Sequence, residues 1–314
     1  MVTRHLLAVL LLVSPARPAP AQEPSTLAER LAQRMARAPA RAVGLYYRGL
    51  VGPDSVLIGA NLRFHAASTM KVPVMIQLFR DADAGLLQLD DSLTVHMAFP
   101  SLVEGQAFVV GRKDDSDSTL YAWEGRNRSV RDLLELMITR SSNLATNILI
   151  ERVGAARAQT SARALGAWSI QVLRGVEDGL AYRAGLNNTT TARDLGVLLL
   201  AIAQGRASSR AACDSMLAIL GRQEFNEGIP AGVPPGHACG AQDGMGRRGR
   251  LPRCRHRLSG ARRRLRPHRP DGGDQGGQRR AQPRGGPVAN GLRRFYFLVT
   301  VSSRSTFFEN QNTK

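Results

Sequence analysis

The sequence predicts an α+β fold with a helical subdomain set into a sheet, and three observations support it. β-prone runs come first and a block of helical periodicities follows them. The 314 residues are 43% hydrophobic, 22% charged and 5% aromatic, which suits a packed core and excludes collagen-like, mucin-like and wholly disordered chains. This grammar stops at Gly232, beyond which Pro, Gly, Arg, Ala and Gln dominate. The expected organisation is a leader over 1–21, a catalytic-size domain over 22–236, and an Arg/Gly/Pro-rich, disordered segment over 237–314.

The leader has Arg4 and His5, then an apolar run from Leu6 to Val13, then Ala19-Pro20-Ala21 before Gln22. A basic start, a short apolar stretch and a small-x-small site describe a secretory signal peptide, so the protein is expected to be secreted or periplasmic. No later run reaches the roughly 18 apolar residues of a membrane span. Leu27, Leu31 and Met35 then repeat at helical spacing. Ala42 to Tyr47 and Ser55 to Ile58 read as a hairpin around Gly52-Pro53-Asp54. Met70 to Phe79 reads as a buried helix ended by Arg80-Asp81 and Gly85. Val130 to Ile138 and Ala145 to Val153 are two helices around a polar break, Arg140-Ser141-Ser142-Asn143, and Asp194 to Ala203 is another.

The formal charge of +18 is local. Between His237 and Arg294 lie 16 Arg and three acids, so this segment carries +13 of it. Cys213, Cys239 and Cys254 form an odd set without zinc-ligand spacing, which argues against a disulfide framework and offers no metal site.

Ser68-Thr69-Met70-Lys71 carries the sharpest chemistry. A serine at a helix start lies near free backbone N–H groups, and a lysine three residues on shares its face. A lysine of depressed pKa can take the serine proton without a histidine. The plain alternative is a surface Ser and Lys on an ordinary helix. Against it, Lys71 is one of three lysines in the chain and sits inside the apolar run Val72-Pro73-Val74-Met75-Ile76. Ser141-Ser142-Asn143 offers a hydroxyl and a carboxamide between two apolar helices, able to relay a proton and hold a carbonyl; it is also common helix-cap material.

Together these motifs resemble the class A serine β-lactamases and their penicillin-recognising relatives. The resemblance runs over most of Thr26 to Gly228, through Phe64-His65-Ala66-Ala67-Ser68-Thr69-Met70-Lys71-Val72-Pro73 and Met137 to Asn147. It implies an antiparallel sheet with packed helices, Ser68 as acylated nucleophile, Lys71 as its base partner, Ser141 as proton shuttle and Asn143 as substrate ligand. Arg174-Gly175-Val176-Glu177-Asp178 resembles the start of the family's omega loop, making Glu177 the candidate general base for the deacylating water. Two departures stand out: Leu186-Asn187 comes later than the family's Leu-Asn, and Ser142 replaces the usual Asp. Glu177 and Asp178 could instead be solvated loop acids.

The family's third motif, Lys-Thr-Gly, is missing. The simplest account is a shifted reading frame. Ala241-Gln242-Asp243-Gly244-Met245-Gly246 back-translates to GCN CAR GAY GGN ATG GGN; dropping one base permits His-Lys-Thr-Gly and forces Trp. An indel near Val233 to His237 would then leave 237–314 without the native C-terminal strands and helix, exposing a sheet edge and impairing folding or activity. The competing reading is a basic tail for nucleic acid or anionic lipid, opposed by the export signal and by the lack of interleaved aromatics. The sequence thus predicts a monomeric exported hydrolase for β-lactams or related amides and esters. It needs no cofactor, metal or nucleic acid. The rivals are a related non-lactamase hydrolase or penicillin-binding protein, and a catalytically dead protein with a basic binding tail.

Overall fold

The computed structural model describes residues 26–38, 40–50, 52–226 and 296–303. The leader and most of the basic segment, with the shifted-frame reading, lie outside these residues. The chain divides into two compact units, Met1–Pro39 and Ala40–Lys314. The described part of the first is helix α1 (Leu27–Ala36), opened by a capping box in which Thr26 and Glu29 satisfy each other's backbone N–H.

In the second unit, β1 (Ala42–Gly49) and β2 (Ser55–Ile58) form the expected hairpin, with Leu45 opposite Ile58. Gly52 turns it at φ 87°, a conformation open to glycine. β3 (Phe64–His65) leads into a 3-10 turn, Ala67–Met70, and helix α2 (Lys71–Asp83). Short antiparallel pairs follow, β4 (Ser92–Thr94) with β7 (Asn127–Ser129), and β5 (Ala98–Pro100) with β6 (Ala107–Val109). The helical block is α3 (Val130–Thr139), α4 (Asn143–Val153), α5 (Ala155–Ala164) and α6 (Gly179–Arg183). β8 (Thr189–Thr190) pairs with β3, and α7 (Ala192–Ala203) and α8 (Arg210–Leu220) complete it.

α2 is buried nearly all round, as a core helix must be when its sequence is apolar on every face. It packs against α3, α4, α5 and α8. It also runs on past Arg80-Asp81, where the sequence suggested a stop. Asp81 is 2% exposed, and the Arg157 guanidinium of α5 and the Gln77 amide both bond it. α4 begins at Asn143, two residues before the expected start, because the Ser142 hydroxyl accepts the Ala145 N–H at 3.2 Å as its cap. α7 lies across β1, with Gly196 against the Tyr46 ring.

The apolar run at the end of the basic segment forms β9 (Tyr296–Ser303), antiparallel to β1 with Leu45 opposite Thr300. The sheet order is β2-β1-β9, so β1 is paired on both sides. The β-branched and aromatic text Tyr-Phe-Leu-Val-Thr-Val has strand propensity whatever precedes it, so one strand from within the 237–314 segment pairs with β1, and β9 is in turn the edge of this three-stranded sheet.

Candidate active site

Ser68 sits in the 3-10 turn that feeds α2, with α2's N-terminal end beside it. Entry to that turn is bent by Ala67, at φ 44°, whose N–H donates to His65 Nδ1 at 3.1 Å. Three residues on, Lys71 has no solvent exposure. Its Nζ lies 3.2 Å from Ser68 Oγ, 2.8 Å from Ser141 Oγ, 2.7 Å from the Ser141 carbonyl and 3.0 Å from Asn143 Oδ1. The Ser141 hydroxyl is 2.8 Å from Ser68 Oγ, closing a triangle of two hydroxyls and an amine.

Four neighbours exceed the three protons of an ammonium, and a neutral amine has two protons and a lone pair. The triangle can therefore hold the lysine lone pair against a serine O–H. Burial lowers the Lys71 pKa to about 7, against the opposing pull of the Asp115 and Glu177 charges. A group in that range is matched to base work at neutral pH.

Ser141 reaches the triangle from the break between α3 and α4 by taking φ 54°, a left-handed conformation costly for a residue with a Cβ. Asn143, the first residue of α4, turns its carboxamide into a bridge. Its Oδ1 faces Lys71, and its Nδ2 donates to the Asp114 carbonyl at 2.8 Å and to Glu177 Oε1 at 3.1 Å. Glu177 is also left-handed, at φ 63°. Lost solvation and the Asp114 charge raise its pKa, while Lys71 and Arg174 pull it down.

The loop carrying Glu177 is fixed by residues to which the sequence reading gave no role. Asn147 Oδ1 accepts the Val176 N–H at 2.7 Å and its Nδ2 donates to the Val176 carbonyl at 2.9 Å. This clamp grips Val176, the residue before Glu177. Asn188 Oδ1 accepts the N–H groups of Leu173 and Arg174, and Arg174 donates to the Leu186 carbonyl. Asp178 is 2% exposed, caps α6 through the Ala181 N–H, and accepts from the Ser101 hydroxyl. Its reading as a solvated acid does not hold. A cavity of about 130 Å³ behind the loop is lined by Phe99, Phe108, Asn147, Ile150, Arg174 and Asp178, not by the triangle.

The five candidates Ser68, Lys71, Ser141, Asn143 and Glu177 thus come together from α2 and its turn, the α3–α4 break and one loop. This fold and this serine-lysine-serine cluster coincide with a match to the model described as β-lactamase enzyme family, over residues 26–255. The chain belongs to that family. Its kind is a serine β-lactamase-like hydrolase. Similar solved structures include a β-lactamase from Sphaerobacter thermophilus DSM 20745, at 27% identity over 64% of this chain and 73% of that one, TM-score 0.53. PBP-A is 30% identical over 71% of this chain and 76% of its own, TM-score 0.56. The ancestral (GNCA) class A β-lactamase, at 23% identity, 67% and 77% coverage and TM-score 0.56, shares the fold. No curated protein matches the chain. Among the described residues, no helix of this β-lactamase-family chain is long and apolar enough to cross a membrane.

Proposed function

We propose that this chain opens the amide of β-lactams through an acyl-enzyme on Ser68, and that its biological role is catabolism of, and resistance to, β-lactam antibiotics outside the cytoplasm. The observation that carries this is the buried Lys71 amine held between two serine hydroxyls. Neutral Lys71 takes the Ser68 proton as Oγ attacks the lactam carbonyl carbon, directly across 3.2 Å or through Ser141. When the C–N bond breaks, Ser141 passes a proton to the departing nitrogen, and Lys71 replenishes it across 2.8 Å. Asn143 is the substrate ligand, since its carboxamide already borders the nucleophile's partner. Glu177, as carboxylate, takes a proton from the water that releases the product.

A second reading has a specific observation behind it. The Asn147 clamp holds Val176, and the Glu177 carboxylate is engaged by Asn143, so water activation at the ester is less direct than acylation. PBP-A, similar to this chain, has been captured in mutant form as an acyl-enzyme with penicillin G. A long-lived acyl-enzyme would make the chain a penicillin-binding relative.

One experiment covers both. The chain is mixed with nitrocefin and with penicillin G, following hydrolysis and intact mass. The expected result is a penicilloyl adduct on Ser68 that Ser68→Ala abolishes, with turnover if Glu177 serves its water and a persisting adduct if it does not. Absence of any adduct, with nitrocefin cleavage unaffected by Ser68→Ala, would overturn the serine mechanism.

A further inference from the structure

The motif Ser141-Ser142-Asn143 has a hydroxyl where the family pattern has a carboxylate. A carboxylate nonetheless stands against Ser142, delivered by another segment. Asp115, in the loop between β6 and β7, accepts the Asn143 N–H at 2.9 Å, the Leu144 N–H at 2.8 Å and the Ser142 hydroxyl at 3.2 Å. Its own orientation is fixed by the Asp117 N–H at 3.0 Å and the Tyr121 hydroxyl at 3.3 Å.

We infer that Asp115 is the positioning residue of this site, a carboxylate relocated from the motif to the facing loop, which locks the start of α4 so that Ser141 and Asn143 meet Lys71. The inference deepens the serine reading and acts on the same site. The first N–H groups of a helix have no partners within it, and a negative charge there is favourable. Asp115 satisfies two of them in α4 and bonds the Ser142 side chain that caps the third. Asn143 is thus held at its backbone by Asp115 while its side chain spans Lys71, Asp114 and Glu177. Without that anchor the backbone at the start of α4 loses its acceptor, and the Asn143 carboxamide and the left-handed Ser141 are left to their side-chain contacts and to the bonds that Lys71 and Ser116 make to the Ser141 carbonyl.

Asp115 is also the larger of two charges that favour the protonated form of Lys71, Glu177 being the other. The charged groups around this cluster are Asp114, Asp117, Glu177, Lys71 and, paired with Asp117, Arg140.

The test uses the full chain with ¹³Cε-labelled lysine. The sequence has three lysines, Lys71, Lys113 and Lys314, and Lys71→Arg assigns the signal of the first. Asp115→Asn removes the charge and keeps an acceptor for one of the two backbone N–H groups, which bond different oxygens of the carboxylate. Its Lys71 signal is expected to titrate at lower pH than the native midpoint, and the acid limb of Ser68 acylation to move down with it. Asp115→Ala is expected to slow acylation about tenfold or more even at pH 8, where Lys71 is largely neutral in both proteins. Adding Ser142→Asp to Asp115→Ser is expected to recover part of that loss, since it returns the carboxylate to the same contact. An unmoved Lys71 midpoint in Asp115→Asn, with only the melting temperature changed, would reduce Asp115 to a loop anchor and overturn the inference. If the Lys71 midpoint moves as expected while penicillin leaves native Ser68 unlabelled, the serine mechanism fails and the placement of Asp115 stands.

Discussion

Acylation by this chain should follow the deprotonation of Lys71. With its pKa lowered to about 7 by burial, the amine is half neutral at pH 7. At pH 5 about 1% is neutral, so the acylation rate there should be about fiftyfold below the pH 7 value, falling tenfold per unit below pH 6 and levelling above pH 8. Single-turnover mixing with a chromogenic cephalosporin between pH 5 and 9, at constant ionic strength, measures this limb separately from product release. A level profile from pH 5 to 7 would show that Lys71 is not the base. A midpoint above 9 would show an ordinary solvated lysine and refute its burial. The same group sets a stability dependence. Its unfolded pKa lies near 10.5, so below pH 7 both states hold the proton and this group gives no slope. Between about 7 and 10.5 the folded chain has released the proton and the unfolded chain has not, so stability rises with pH, by about 5 kcal/mol at most. Urea midpoints at pH 7 and pH 9 should differ in that direction.

Gly175→Ala should strike deacylation harder than acylation. An added Cβ would lie 2.2 Å from Asn147 Oδ1, breaking the clamp that fixes Val176 and so moving Glu177; comparing burst rate with steady-state turnover checks it. Gly196→Ala would place a Cβ 2.1 Å from a Tyr46 ring carbon. Overpacking of about 1–3 kcal/mol then outweighs the helix-propensity gain of about 1 kcal/mol, and the melting temperature should drop by a few degrees with activity per folded molecule unchanged. Resequencing the codons for Pro230 to Met245 should reveal a single-base indel whose correction restores Lys-Thr-Gly; a confirmed frame would retire the shifted-frame reading.

Where periodicity and local capping suffice, sequence and structure agree. The β1–β2 hairpin and the helices α2, α3, α4 and α7 were legible from apolar spacing and turn residues. The end of α2 was not, because what keeps Asp81 inside the helix is Arg157, 76 residues away. α8 carried a readable signal that went unread, Ser209 as cap and Ala212, Met216 and Ile219 on one face. In the site, Ser68, Lys71, Ser141 and Asn143 were visible because the serine-lysine spacing and the polar break are local features. Asp115 was not: in the run Asp114-Asp115-Ser116-Asp117 nothing distinguishes it, and its partners lie 27 to 29 residues downstream. Asn147 and Asn188 were hidden for the same reason, since an asparagine that clamps a distant backbone looks in sequence like any polar helix or loop residue.

Backbone strain ties these distant pieces to one purpose. Among the described residues, the non-glycine positions at positive φ are Ala67, Ser141 and Glu177, and each belongs to or adjoins the site. Such conformations cost on the order of 1–3 kcal/mol apiece and persist only where surrounding contacts over-determine them. Each here has its restraint: His65 takes the Ala67 N–H, Ser116 and Lys71 hold the Ser141 carbonyl, and the Asn147 clamp ends one residue before Glu177. Had the fold been selected for stability alone, glycine at 67, 141 and 177 would relieve the strain at once. Keeping a hydroxyl at 141 and a carboxylate at 177 in the left-handed region makes sense only if those side chains must point where they do. The strain is therefore a second observation, beyond proximity, in support of the roles proposed for Ser141 and Glu177 around Lys71.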